Sequence, residues 1–573
     1  MKMAITLYAI LHKEKGKKIM TKFKKTIALL AALCLLIGML AACTSSDAES
    51  TDAVKTTAEP SAEPTSDAAD KEITIALYRD GAIDTLDAAT YNGPHVLYKM
   101  IYEGFVEDGG NGTILPQLAT SWDISEDGKT YTFHLREGVK FSDGTDFNAD
   151  AVIFNLNRWM NNDRHASLTC YKAESYEALD EYTVRIVFAE STYSILTELT
   201  YPRPNRFLAP SCVEDNGEVM GNFKWPVGTG QWMVEEYVPD EQVTLVPNPY
   251  YWGEKPALDR IIFKVIPSGE ARIMALESGE VDIIGGELLG KITSAGYSVL
   301  ENDGVYELYA ASEMCAHYMN FSQDNELFQD VRVRQAVNYA IDNETLAATL
   351  LTGIGTAAKG LYNAETVPYV TEQNSPGYAY DLDLARTLIA EAGLQDSDGD
   401  GFLDKDGVNY ELSLVITTEE FPEWSEVAQF IQSSLAQIGL KVNIRTVDTN
   451  AYNEIQMTTL DYDLIFQRTS SASWVPHNDM TIMFTQLSVA QGHARVWYDA
   501  QLVDNIWNAL RSQDEAERQK YYDLVFGQIQ DEALLVPLYY PTVTFAVNPE
   551  IVSGFEIGTN NYAPVQWTTL TRK

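Results

Sequence analysis

Residues 410–447 read YELSLVITTEEFPEWSEVAQFIQSSLAQIGLKVNIRTV. The opening eight residues, 410–417, have the apolar content and length of a buried strand. Val427, Phe430, Ile431, Leu435 and Ile438 then recur at helical spacing, and Gly439 stands where a helix C-cap belongs. Residues 441–447 (KVNIRTV) predict the next strand. Strand, helix and strand with short joints make the βαβ unit of a parallel sheet. Residues 464–466 (LIF) predict a further strand. Two amphipathic helices come before this unit. One carries Val333, Val337, Ala340 and Ile341; the other spans 381–392 and stops at Gly393. The second half of the chain therefore holds an α/β lobe.

The first half has another texture. Residues 71–78 (KEITIALY), 130–136 (TYTFHLR) and 181–188 (EYTVRIVF) alternate as strands do, and one helix is expected near 150–160. His134 falls inside this pattern and reads as a strand residue, not a ligand. Residues 106–225 are expected to be β-rich. A chain of 573 residues is too long for one core, and about 150 residues per domain gives three or four units.

Charge narrows the partners. Residues 1–42 hold eight Lys and one Glu; the remainder carries 33 basic against 81 acidic side chains. Such a surface repels phosphate backbones and anionic headgroups, which argues against nucleic acid and against charge-driven membrane attachment. Attachment is expected at the N-terminus instead. Lys22, Lys24 and Lys25 precede the apolar run 27–42 (IALLAALCLLIGMLAA) and Cys43. Sixteen residues fall short of the roughly 20 of a membrane span, and the order of basic, apolar and small residues is that of a secretion signal. Met20 fits a start for that signal better than Met1. Residues 44–70 contain no aromatic and one large aliphatic, Val54, too little apolar surface to offset chain entropy. They read as a tether.

The segments Met100-Ile-Tyr-Glu-Gly-Phe105, 114–152 (ILPQLATSWDISEDGKTYTFHLREGVKFSDGTDFNADAV), 226–237 (PVGTGQWMVEEY), 248–267 (NPYYWGEKPALDRIIFKVIP), 274–283 (MALESGEVDI), 330–342 (DVRVRQAVNYAID) and 380–393 (YDLDLARTLIAEAG) resemble, in order, the family 5 extracytoplasmic solute-binding proteins of peptide and nickel ABC importers. The resemblance implies an α/β, two-lobe clamshell of the periplasmic-binding-protein kind (class II), with an additional β-rich domain in the first lobe. The expected partition is a lipoprotein signal at 1–42, an acylated Cys43 and tether at 43–70, lobe I from 71–105, 226–310 and 540–573, the additional domain at 106–225, and lobe II at 311–539. Leu40-Ala41-Ala42-Cys43 resembles the bacterial lipoprotein box, which implies a lipid on the Cys43 thiol and a monomer on the outer face of the membrane, serving ABC permease and ATPase subunits.

Within the family, 200–210 (TYPRPNRFLAP) and 163–166 (DRHA) resemble the nickel-importing branch. The likeness implies that Arg203 and Arg164 grip carboxylates of a small chelator carrying nickel or another transition metal. A guanidinium keeps its charge when desolvated and offers a fork matched to a carboxylate. The competing reading makes Arg203 a loop tie and Arg164 a solvated helix-end residue. Arg468 and Trp474 lie in 468–477 (RTSSASWVPH), directly after the strand at 464–466, where open α/β lobes bind ligands. Peptide-binding members place an aspartate in this segment; here the first is Asp479, which favours an anionic or metal-bearing solute over a free peptide N-terminus. His493 is in a loop (VAQGHARVWYD) resembling the one that supplies a metal-contacting histidine, and His95 stands near the implied pocket. Neutral imidazole suits nickel. His165 and His317 read as structural. The alternative cargo is a di- or oligopeptide.

Asp396, Asp398 and Asp400 with Gly401 match the first half of a calcium loop, but position 12 is Gly407 where a bidentate glutamate belongs. A turn held by its own side chains is the default, weak calcium binding the alternative. No permanently bound cofactor is expected. Cys170, Cys212 and Cys315 are expected as buried thiols, and no zinc spacing, GxSxG, HExxH or phosphate loop is present, which points away from an enzyme.

Overall fold

The strand at Leu535–Val547 runs through the centre of the protein and belongs to both halves of it. Its second half pairs antiparallel with Glu307–Ser312 and Ile283–Gly285, and its first half pairs antiparallel with His317–Phe321. On one side of this strand the sheet continues through Glu72–Leu77, Arg260–Val265, Gln242–Pro247 and Trp232–Val238. On the other it continues through Leu464–Arg468, Glu411–Ile416 and Lys441–Thr446. The computed structural model describes residues 71–79, 86–90, 95–110, 112–470, 475–485, 495–560 and 562–573, apart from the side chains of His95 and Thr559.

Glu411–Ile416, the helix Trp424–Ala436 and Lys441–Thr446 form the expected parallel βαβ unit. The helix buries Trp424, Val427, Ala428, Ile431 and Leu435 on one stripe, and Gly439 follows it at φ 80°, a left-handed conformation that only glycine adopts without penalty. The helix Leu382–Glu391 begins where Asp381 accepts from the Leu384 amide, and the helix Val331–Tyr339 is capped likewise by Asp330.

Residues 119–188 form a separate four-stranded antiparallel sheet, Ala119–Ile124, Thr130–Leu135, Thr183–Phe188 and Ala173–Asp180, covered by the helix Ala149–Trp159. Alternation is clean in Thr130–Leu135 and Thr183–Phe188, whose buried residues Tyr131, Phe133, Leu135, Val184, Ile186 and Phe188 face the helix side. His134 points outward and meets Asp123 at 2.9 Å.

Apolar burial divides along the same line. One core gathers side chains from Ile73 to Leu289 and from Phe545 to Leu570; the other gathers those from Tyr318 to Tyr539. The chain passes between them at 313–316 and again near Tyr540 and Pro541. This is a two-lobe α/β clamshell with a β-rich addition on its first lobe. Cys170, Cys212 and Cys315 are buried, free thiols. Among the described residues no helix is long and apolar enough to cross a membrane; Cys43 and the segments around it lie outside them.

Candidate functional site

Arg203 and Arg468, on opposite lobes, both exert their charge on one tyrosine, Tyr562. Arg203 sits half-buried in the loop of the additional domain, before Pro204. Its guanidinium hydrogen-bonds the Tyr98 hydroxyl, whose pKa burial pushes up to about 12. Arg468 ends the strand Leu464–Arg468 of the second lobe, at the C-terminal edge of its sheet. Tyr562, from the C-terminal segment, feels both guanidinium charges: burial raises its phenol, Arg468 and then Arg203 oppose the rise, and Asp479 and Cys315 add to it.

The neighbouring arginine of the same motif has a different fate. Arg206 is fully buried and spent on the protein itself, donating to Gln117 Oε1 at 2.8 Å and pairing with Glu107 at 3.2 Å. Arg164 stands exposed on the short turn Asp163–His165, next to fully buried His165. Burial, with Arg164 and Arg203 nearby, lowers the His165 pKa to about 4, so this imidazole is neutral at pH 7. His317 is likewise buried and neutral, its Nδ1 accepting from Trp424 Nε1 at 2.9 Å and meeting the Tyr539 hydroxyl at 3.0 Å. Trp474 and His493 lie outside the described residues, as does the side chain of His95, which opens the helix His95–Ile101.

Asp479, the aspartate that follows the 468–477 segment, is buried. Its carboxylate accepts from the Ser470 amide at 2.9 Å and from the Tyr362 hydroxyl at 2.8 Å. Burial raises its pKa against those hydrogen bonds. Beside it, His477 Nε2 meets the Tyr201 hydroxyl at 2.8 Å and stands 3.8 Å from Glu198 Oε1, a contact between the lobes. Asn478 donates to Ser167 O across the same seam.

A second charged group lies where the chain crosses between lobes. Glu287 and Lys291 belong to the first lobe; Glu420, Glu423 and Arg468 to the second. Lys291 reaches Glu287 at 3.0 Å and Glu423 at 3.6 Å, while Arg468 lies 3.8 Å from Glu287 and 3.9 Å from Glu420. Burial alone would raise Glu287, but Lys291 and Arg468 outweigh it and hold the carboxylate below its usual range. The contacts of Arg468 are long for hydrogen bonds, so its fork can take a further acceptor. Alongside, Tyr78, Pro267, Arg272, Gly290 and Glu420 line an open cavity of about 190 Å³.

Tyr562, Glu287 and Lys291 escaped the reading of the sequence. None sits in a motif, and only tertiary folding brings the C-terminal segment and the 285–291 turn beside Arg468. The calcium expectation finds no support. Asp396 accepts from the Gly399 and Gly401 amides, Asp398 from the Asp400 amide, and Asp400 from Phe402 N and Asn409 Nδ2, so the carboxylates are engaged by their own loop. Asp404 joins Asp396 and Asp398 in that cluster but accepts from Ser397 N and Oγ and from Gly407 N.

Two lobes joined by paired crossings, with charged side chains of both meeting where the chain crosses, have the architecture of a solute-binding clamshell. The comparisons agree. Residues 113–490 match the family described as bacterial extracellular solute-binding proteins, family 5 middle, and the chain belongs to that family. It is 32% identical over 477 residues to the nickel-binding periplasmic protein of Escherichia coli, covering 81% of this chain and 87% of that one. It is 25% identical over 544 residues to the oligopeptide-binding protein AppA of Bacillus subtilis, covering 94% and 97%. The structure of NikA from Brucella suis in complex with Fe(III)-EDTA superposes with a TM-score of 0.80 at 29% identity, over 88% of this chain and all of that one.

Proposed function

We propose that this chain is a lipid-anchored receptor of an ABC importer, held to the outer face of the cell membrane through Cys43. It captures a nickel or other transition-metal chelate and delivers it to a permease, without catalytic chemistry of its own. The partition into lobe I, additional domain and lobe II with the boundaries given above is part of this reading. The observation that supports it is Arg468, which ends a strand of the second lobe and reaches Glu287 of the first at 3.8 Å without filling its fork, with the Arg203 charge acting on the same Tyr562. A guanidinium whose carboxylate contacts are long can take up a carboxylate of the solute, and a solute touched by both lobes stabilises the shut form. Arg164, exposed beside His165, would complete the grip, with Trp474, His95 and His493 as further contacts. The likeness to the nickel-binding protein of Escherichia coli and to a structure holding a metal chelate supports the cargo class.

Calorimetry tests it. Arg203→Ala should weaken binding of a nickel chelate at least tenfold, on the scale of a lost charge-assisted hydrogen bond; unchanged affinity would reject the assignment. Buried Asp479 and the likeness to AppA favour a second reading, a di- or oligopeptide receptor. Native mass spectrometry of the purified protein separates the two, by a co-purified mass with a metal isotope pattern or with that of a peptide.

A further inference from the structure

Glu313 stands on the first crossing between the lobes, between the strands Glu307–Ser312 and His317–Phe321. Its backbone amide donates to Pro541 O, which ties it to the second crossing. The residue is 8% exposed, and neither carboxyl oxygen has a hydrogen-bond partner. A buried carboxyl without donors is costly, so one that persists points to a partner that arrives from outside the chain. Some of the neighbouring groups are already engaged, although His317 Nε2 has no partner and the Arg468 fork is not filled. Lys291 is divided between Glu287 and Glu423, Cys315 Sγ donates to Thr469 O at 3.2 Å, and His317 Nδ1 is taken by Trp424 and Tyr539. One donor-hungry carboxyl amid such neighbours lacks the ligand set of a bare metal ion; it suits N–H donors. Its electrostatic partners are Glu287, Lys291 and Arg468, and Arg468 in turn acts on Tyr562 together with Arg203. Glu313 therefore lies within the electrostatic reach of the charged group at the crossing, Glu287, Lys291 and Arg468.

We propose that Glu313 contacts the cargo and accepts from its amine, so that the solute is an amine-bearing carboxylate and not a purely carboxylic chelator. The inference rests on the receptor reading above and specifies its cargo. An amino acid whose amine is bound to nickel and a short peptide with a free ammonium share this chemistry. The arginines hold the carboxylates and Glu313 holds the nitrogen. In the unliganded protein burial and the Glu287 charge push the Glu313 carboxyl well above the usual carboxylate range. An amine that donates to it favours the ionised form, so binding is expected to release a proton to the buffer.

The purified protein and its Glu313→Gln variant are titrated by calorimetry with nickel–histidine, nickel–citrate and dialanine. The expected result is that wild type binds one amine-bearing probe at least tenfold tighter than nickel–citrate, and that the variant, with unchanged melting, loses that preference. Equal or tighter binding of nickel–citrate, or a preference untouched by the variant, overturns the proposal. If Arg203→Ala abolishes nickel–citrate binding in that case, the metal-chelate reading survives without it. If dialanine alone binds, the metal reading fails and Glu313 is judged on dialanine. Binding of none of the three overturns both. Should the variant not fold, wild type titrated at pH 7 in two buffers of different ionisation enthalpy gives the answer: proton release that accompanies binding of the amine-bearing probe but not of nickel–citrate supports the role, and no release refutes it.

Discussion

Removing the carboxylate of Asp87 should be among the most damaging single changes to the first lobe. Arg158 grips it with two parallel bonds, Nη1 to Oδ1 at 3.0 Å and Nη2 to Oδ2 at 2.6 Å, and both side chains are more than nine-tenths buried. The same guanidinium donates to Met220 O at 2.9 Å, and Asp87 Oδ1 accepts from the Ala89 amide at 3.1 Å. One ion pair thus joins the helix Ala149–Trp159, the 86–90 turn and the chain near 220. At an effective dielectric constant of about 20, two unit charges some 4 Å apart attract by about 4 kcal/mol. Asp87→Ala leaves the guanidinium buried without its counter-charge, and the expected loss is about 3–5 kcal/mol. Asp87→Ala combined with Arg158→Met removes both charges and should recover most of that loss. Urea unfolding followed by circular dichroism measures both as midpoint shifts at constant slope. A single variant costing under about 1 kcal/mol, or a double variant no better than the single, would refute the reasoning that charge, not packing, dominates here.

Glu103 is buried, accepts from Trp252 Nε1 at 2.8 Å, and has its pKa raised by burial to about 7. Because the folded value lies above the unfolded one near 4.5, folding takes up a proton between them, and stability from this group falls as pH rises from 4.5 through 7, by on the order of 3 kcal/mol. Glu103→Gln should flatten that slope, read as urea midpoints at pH 5 and pH 8; an unchanged slope would assign it elsewhere. Gly439→Ala would place a Cβ at positive φ and 2.9 Å from Leu403 Cγ, and should cost roughly 1–2 kcal/mol in thermal unfolding; a neutral result would mean that the turn relaxes freely. Calcium should leave the melting temperature unchanged, since the 396–404 carboxylates are held by their own backbone; a rise that grows with calcium concentration would restore the loop as a site.

The α/β character of the second half was legible in residues 410–447 because a period of 3.6 flanked by apolar runs admits few alternatives, and glycine at 439 marks where the helix must stop. The additional sheet was legible for the matching reason, strict alternation in 130–135 and 183–188. Sequence also marked Arg203 and Arg468 as candidate contacts, through local motifs and a position after a strand. It could not say that Arg206, three residues on, is consumed by Gln117 and Glu107, since both arginines carry the same charge in the same motif.

Local patterning therefore determined which segments became strands and helices and which face of each was buried, because both follow from the spacing of apolar side chains along the chain. Only the tertiary structure decided that Leu535–Val547 serves both lobes, that Tyr562 comes under the charge of both Arg203 and Arg468, and that Glu313 is buried at the crossing without a donor. Those outcomes depend on contacts between residues hundreds of positions apart. Burial and the field of neighbouring charges are properties of the packed chain, not of any stretch of it.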